Sequence, residues 1–109
     1  MQYLEQNFIE EHLGPGQRIE YEGSLVILGD VNGGAEVIAG ENIVILGILR
    51  GLAHAGAKGN KEAIIACSSI EAPQIRISNI IKERSKEEVQ ERSIKTSAYV
   101  DENGKIVVE

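Results

Sequence analysis

Large rings are nearly missing from this chain, which has no Trp, one Phe and three Tyr among its 109 residues. A core without rings must be built from small apolar layers, and 16 Ile and 8 Val supply them. β-branched side chains are stiff at χ1 and suit pleated strands better than helices. Proline is scarce at two residues while glycine reaches twelve, so glycine turns are expected. This composition excludes a collagen-like or disordered chain and counts against a helical bundle. Cys67 is the single cysteine, which excludes an intramolecular disulfide and any multi-cysteine metal site. The longest uninterrupted apolar run, Ala63 to Cys67, is far too short for a membrane-spanning helix.

Positive charge is also in short supply. Lys and Arg number 11 against 17 Asp and Glu, a net charge of −6. The deficit is concentrated at the start, where Glu5, Glu10, Glu11, Glu20 and Glu22 face Arg18 alone. No basic patch or stripe appears, so neither nucleic acid nor an anionic membrane surface is an expected direct partner. The first residues lack the basic and apolar regions of a secretory signal, and a cytoplasmic protein is expected.

What is present divides into four segments. Residues 1–13 mix Glu with scattered apolar side chains. Leu4, Phe8 and Ile9 could share a helix face, and a short helix or a disordered linker is expected there, ahead of the domain at 14–109. Gly14-Pro15-Gly16 ends any such helix. Residues 17–81 form the body. Residues 82–92 hold one apolar residue and read as a solvated loop or a frayed helical turn. In residues 93–109, Ala98–Val100 and Ile106–Val108 flank Asn103-Gly104, the signature of a β-hairpin.

The body repeats itself. Leu25-Val26-Ile27-Leu28-Gly29 recurs as Ile43-Val44-Ile45-Leu46-Gly47, an offset of 18, shared by Gly33 with Gly51 and by Ala35 with Ala53. Past Lys58-Gly59-Asn60 an offset of 19 maps Ile45-Leu46-Gly47 onto Ile64-Ile65-Ala66 and Gly40 onto Gly59. Such a repeat is too short for a βαβ unit and fits one coil of a β-solenoid. The expected fold is all-β: a parallel β-helix of about three coils, with glycines at the corners and a C-terminal hairpin closing one end or exchanging with a partner.

Strand alternation extends this to association. If Leu25, Ile27, Ile43, Ile45 and Ile64 point inward, then Val26, Leu28, Val44, Leu46 and Ile65 point outward and form one apolar patch. A half-exposed strand normally alternates apolar with polar. An exposed apolar sheet face of this kind predicts a two-fold homodimer.

Catalytic candidates are few. His54 sits in Ala53-His54-Ala55-Gly56 without an acidic neighbour to orient it, and an outward solvated ring is expected. Cys67 has no local base and reads as a buried structural thiol. Gly29-Asp30-Val31-Asn32-Gly33-Gly34 lacks the Gly-Lys-Ser/Thr ending of a phosphate loop and reads as a corner in which Asp30 and Asn32 bond their own backbone. Glu36, Glu41, Glu62 and Glu71 read as solvated edge charges. No enzyme, cofactor or metal site is expected.

Four ordered motifs carry a family resemblance. These are Gly16-Gln17-Arg18-Ile19; Gly29-Asp30-Val31-Asn32-x-Gly34-Ala35-Glu36-Val37-Ile38-Ala39; Asn42-Ile43-Val44; and Leu49-Arg50-Gly51-x-Ala53-x-Ala55-Gly56-Ala57. Over roughly residues 14–109 the chain resembles the C-terminal domain of the septum site-determining protein MinC, a cell division inhibitor family. The resemblance implies a right-handed β-helix, a homodimer, and binding to the ATPase MinD through Gly16, Gln17 and Asp30. It further implies recruitment through MinD to the inner face of the cell membrane. There the family helps to block misplaced septa, and FtsZ is reached only indirectly, because the N-terminal domain that antagonises FtsZ lies outside these motifs. The family's partner loop typically reads Arg-Ser-Gly-Gln, whereas this chain has Gly14-Pro15-Gly16-Gln17. That departure leaves a second reading open, a self-associating structural solenoid that has lost MinD binding.

Overall fold

The computed structural model describes residues 2–3 and 7–109. The strands are β1 (Gln2–Tyr3), β2 (Phe8–Ile9), β3 (Arg18–Tyr21), β4 (Leu25–Ile27), β5 (Glu36–Ala39), β6 (Ile43–Leu49), β7 (Leu52–Ala55), β8 (Ile65–Ile70), β9 (Gln74–Ile77), β10 (Ile80–Glu83), β11 (Ser97–Val100) and β12 (Ile106–Val108), with one short helix α1 (Lys86–Val89). Up to β9, successive strands alternate between two sheets. The first sheet has the order β1-β3-β5-β7-β9-β10 and the second β12-β11-β8-β6-β4-β2. Within each sheet β1 to β9 pair in parallel. A third, narrow face is made by the bridges Leu13↔Val31 and Val31↔Leu49, continued by Leu49↔Ile70. The chain therefore winds as a solenoid of about four turns.

The winding follows from stacked aliphatic columns. One column holds Leu25, Ile43 and Ile65, a second Ile9, Ile27, Ile45 and Cys67, and a third Leu13, Val31, Leu49 and Ile70. On the first sheet Ile19, Val37, Ala53 and Ile75 stack in register. All are buried. Each buried aliphatic contributes about 1.5–3 kcal/mol, so the columns drive the fold without large rings.

Polar side chains tie successive coils together at their edges. Asp30 Oδ1 accepts from the Ile48 amide at 2.8 Å, and Asn32 Nδ2 donates to the Leu13 carbonyl at 3.1 Å. Asn42 Oδ1 accepts from the Ile64 amide at 2.9 Å. Asp30 and Asn32 thus bond neighbouring coils rather than their own turn, because a spacing near 18 brings an amide of the next coil within reach of Asp30 and a carbonyl of the preceding coil within reach of Asn32.

The last turn is capped. β10 folds back antiparallel on β9, and the β11–β12 hairpin pairs antiparallel with β8. The hairpin is the one expected from Asn103-Gly104, with Gly104 at φ +76°. Buried Arg84 donates to the carbonyls of Ile70 and Ala72 at 3.2 and 2.9 Å, satisfying acceptors that no further coil would meet.

Four expectations are corrected. Gln2–Tyr3 and Phe8–Ile9 are strands and Leu13 is fully buried, so residues 8–13 belong to the first coil and are neither helix nor linker. Residues 1 and 4–6, including Leu4 of the expected helix face, lie outside the described residues. Ile65, not Ile64, points inward: Ile65 pairs with Ile43 and is fully buried, while Ile64 is 43% exposed. The turn around Gly56–Glu62 lengthens that coil so that Cys67 lands beside Ile45. Ala53 pairs with Val37 rather than Ala35, because the Gly51 corner is shorter.

The repeated glycines have more than one cause. Gly16 and Gly34, at φ +85° and +86°, do take left-handed corners. Gly47 is there for space, since a Cβ on it would overlap the Gly29 carbonyl oxygen of the preceding coil.

Candidate partner-binding edge and association face

The loop Gly14–Gln17 forms the corner where the narrow face meets the first sheet. It is closed by two hydrogen bonds, Gly14 N to Gln17 Oε1 at 2.6 Å and Gln17 N to the Gly14 carbonyl at 3.2 Å. Gly16 N donates to the Gly34 carbonyl of the next coil at 3.0 Å. Pro15 packs onto Gly34, where a Cβ would stand 3.1 Å from it. Arg18 follows and pairs with Glu36 at 3.0 Å. A shallow groove of about 430 Å³ continues along this edge, lined by Gly34, Ala35, Glu36, Arg50, Gly51, Leu52, Pro73 and Gln74.

Asp30 stands at the opposite end of the narrow face. Its amide donates to His12 Nδ1 at 2.9 Å, and its Oδ2 lies 3.6 Å from the same nitrogen. Between the two ends runs a polar ladder. Asn32 Oδ1 accepts from Arg50 at 3.2 Å, and Arg50 pairs with Glu71 at 3.4 Å. Gly16 and Gln17 therefore share one face with Asp30 without forming one contact cluster.

The outer surface of the second sheet is apolar. Phe8, Val26, Val44 and Ala66 stand in register, each paired with the next, in a row across four strands. Leu28 is half-buried, and Leu46 is exposed at 58%. Four of the five expected outward residues, Val26, Leu28, Val44 and Leu46, retain some exposure, and Ile65 drops out. Phe8, exposed at 49%, and Ile64 replace it. By strand alternation Tyr99 and Val107, which face each other in the hairpin, extend the same surface. Phe8 and His12 were missed because they precede the expected domain boundary, yet both stand 18 residues before Val26 and Asp30.

The remaining candidates are structural. His54 is half-buried rather than solvated, with Nε2 2.7 Å from the Ser78 carbonyl. Burial pushes the Cys67 thiol up to about 12. Among the described residues no group of three His, Cys, Asp or Glu side chains is placed to hold a metal ion, and no helix is long and apolar enough to cross a membrane.

Fold and surfaces together define a short, capped, parallel β-solenoid with one apolar face and one narrow polar face. Comparisons with known proteins agree. The family model for the septum formation inhibitor MinC, C-terminal domain, matches residues 7–109. The chain is 50% identical over 94 residues to the probable septum site-determining protein MinC of Geobacillus thermodenitrificans, covering 86% of this chain and 41% of that protein. It is 43% identical over 94 residues to septum site-determining protein MinC of Bacillus subtilis, with the same coverage of 86% and 41%. A chain of the MinC:MinD cell division protein complex of Aquifex aeolicus superposes with a TM-score of 0.86 at 36% identity, covering all of this chain and 86% of that one. The chain belongs to the MinC C-terminal domain family of septum-placement proteins, and it spans about two-fifths of the length of the two MinC relatives.

Proposed function

We propose that this chain is a homodimeric adaptor that binds the ATPase MinD and performs no catalysis of its own. MinD carries it from the cytoplasm to the inner face of the cell membrane, where it helps to block misplaced division septa, and FtsZ is reached only indirectly. The observation that supports this most directly is the full-length likeness to a chain from a MinC:MinD complex. Gly16, Gln17 and Asp30 are the contact residues in this proposal. The outer surface of the second sheet, from Phe8 through Val26, Val44 and Leu46, forms the dimer seam.

Capture of the same organism's MinD by the immobilised chain, with and without ATP, tests the adaptor role. Binding is expected, and Gln17→Ala with Asp30→Ala should weaken it by at least about tenfold, or ~1.4 kcal/mol. Unchanged affinity in the double variant would move the site elsewhere. One observation favours a second reading, a structural solenoid without MinD binding. The loop offers Gly14 and Pro15 in place of a basic and a hydroxyl side chain, and the Gln17 side-chain oxygen Oε1 is already engaged by Gly14 N–H. Absence of capture under both conditions would select that reading.

A further inference from the structure

Asp30 is held from both sides. On one side Oδ1 accepts from the Ile48 amide at 2.8 Å. On the other, His12 Nδ1 accepts from the Asp30 amide at 2.9 Å and lies 3.6 Å from Oδ2. The spacing of 18 residues stacks His12, Asp30 and Ile48 one per coil. Their close approach depends on Gly29, where a Cβ would stand 2.6 Å from the Glu11 carbonyl oxygen and 3.0 Å from His12 N.

The His12 side chain is 71% exposed, so protons reach it freely. A neutral imidazole with its lone pair on Nδ1 accepts the Asp30 N–H. A protonated ring has two N–H donors and no acceptor. It must release that amide, and its Nδ1–H then turns to the nearest acceptor, Asp30 Oδ2. Among the described residues, the charged groups that stacking and sequence place beside the ring are Asp30, Glu10 and Glu11. Asp30 faces it from the second coil, and the exposed Glu10 and Glu11 precede it on its own coil. The third coil presents the uncharged Gly47 and Ile48, and Arg50 is engaged by Asn32 and Glu71.

We infer that His12 is a positioning residue for Asp30 that makes partner binding depend on pH. Neutral His12 leaves Oδ2 open to a hydrogen-bond donor or cation of the partner, and protonated His12 occupies it. The inference rests on the proposed role of Asp30 in binding MinD. Protonation of the ring therefore lowers affinity, and the loss grows as the solution is acidified.

Two measurements test it. In the isolated chain, the Asp30 backbone amide resonance should follow the His12 ring through a pH titration. In His12→Gln, whose carbonyl oxygen can accept the same N–H but does not titrate, it should stay flat. For binding, MinD affinity of the wild-type chain should fall about fivefold more than that of His12→Gln between about pH 8 and 6, a modest coupling between sites. An Asp30 amide that ignores the ring, or identical pH profiles for wild type and His12→Gln, overturns the inference. Asp30→Asn at about pH 8 separates the two levels. If it binds MinD as tightly as wild type, the Asp30 contact fails, while the amide titration still decides whether His12 and Asp30 are coupled.

Discussion

Leu46→Glu is the sharpest perturbation of the proposed seam. Leu46 is 58% exposed at the centre of an apolar sheet surface, so the monomer loses little packing when it is replaced. Fully burying a leucine is worth about 1.5–3 kcal/mol, and the exposed part of Leu46 accounts for about 1–1.5 of that. A two-fold interface counts each position twice, giving about 2–3 kcal/mol lost. The two carboxylates must also be desolvated among Val26, Val44 and Phe8, a cost of at least similar size. A total of about 4–6 kcal/mol raises the dimer dissociation constant by about a thousandfold or more. Sedimentation velocity at micromolar protein should show a dimer for wild type and a monomer for Leu46→Glu, with unchanged β-sheet circular dichroism. Leu28→Glu, at a half-buried position, should add to the effect. A variant that stays dimeric would place the interface on another face, because the exposure of Leu46 leaves no alternative register to invoke.

Three further outcomes follow from the stacking. Gly47→Ala should lower stability by about 3 kcal/mol in urea unfolding, because its Cβ meets the Gly29 carbonyl, whereas Gly33→Ala, with open space around it, should stay within about 0.5 kcal/mol. Equal stability for the two would refute the close approach. Cys67 should resist a thiol reagent at about pH 8 until the chain is unfolded. Its folded value is raised to about 12 from 9.0 by burial, so the unfolded chain ionises first, and stability is flat below about pH 9 and declines toward 12. Cys67→Ala should reduce that decline, and an identical pH profile would count against burial as its cause. Deleting residues 97–109 strips the hairpin from β8 and exposes the Ala66 and Ile65 edge, so aggregation is expected in light scattering. A soluble, fully folded truncation would show that the edge needs no cover.

The solenoid was legible in the sequence where coil length stays constant. Leu25, Val26 and Ile27 do pair with Ile43, Val44 and Ile45 at the offset read from the repeat. The pattern fails where corners change length. The turn at Gly56–Glu62 adds residues, and Ile64-Ile65 offers two adjacent aliphatics of opposite parity, so local hydrophobicity cannot choose between them. What decides is a distant match, Cys67 against Ile45, in which a cysteine does the work of an aliphatic. The first coil was hidden for another reason. Phe8, Ile9 and Leu13 sit among glutamates, and their meaning appears only in register with Val26, Ile27 and Val31. The His12–Asp30 contact was lost with them, since a histidine assigned to a leader has no neighbour to act on.

A solenoid repeats its inward columns but leaves its outward faces free to diverge, because each coil contacts only its neighbours. In this chain the second sheet keeps Phe8, Val26, Val44 and Leu46 outside, while the narrow face carries His12, Asp30, Asn32, Arg50 and Glu71. Association through the apolar sheet therefore does not consume the polar face. A two-fold dimer built on that sheet presents the polar face twice, once from each protomer. Two sites on one rigid body, meeting partners held side by side on a surface, bind with an effective concentration that a single site lacks. In the proposed adaptor the dimer seam then acts on retention at a membrane without touching the partner, and Leu46→Glu should leave one-to-one affinity in solution intact while weakening capture by a surface densely coated with MinD. Equal losses in the two settings would mean that the faces are not independent and that the seam shapes the partner site itself.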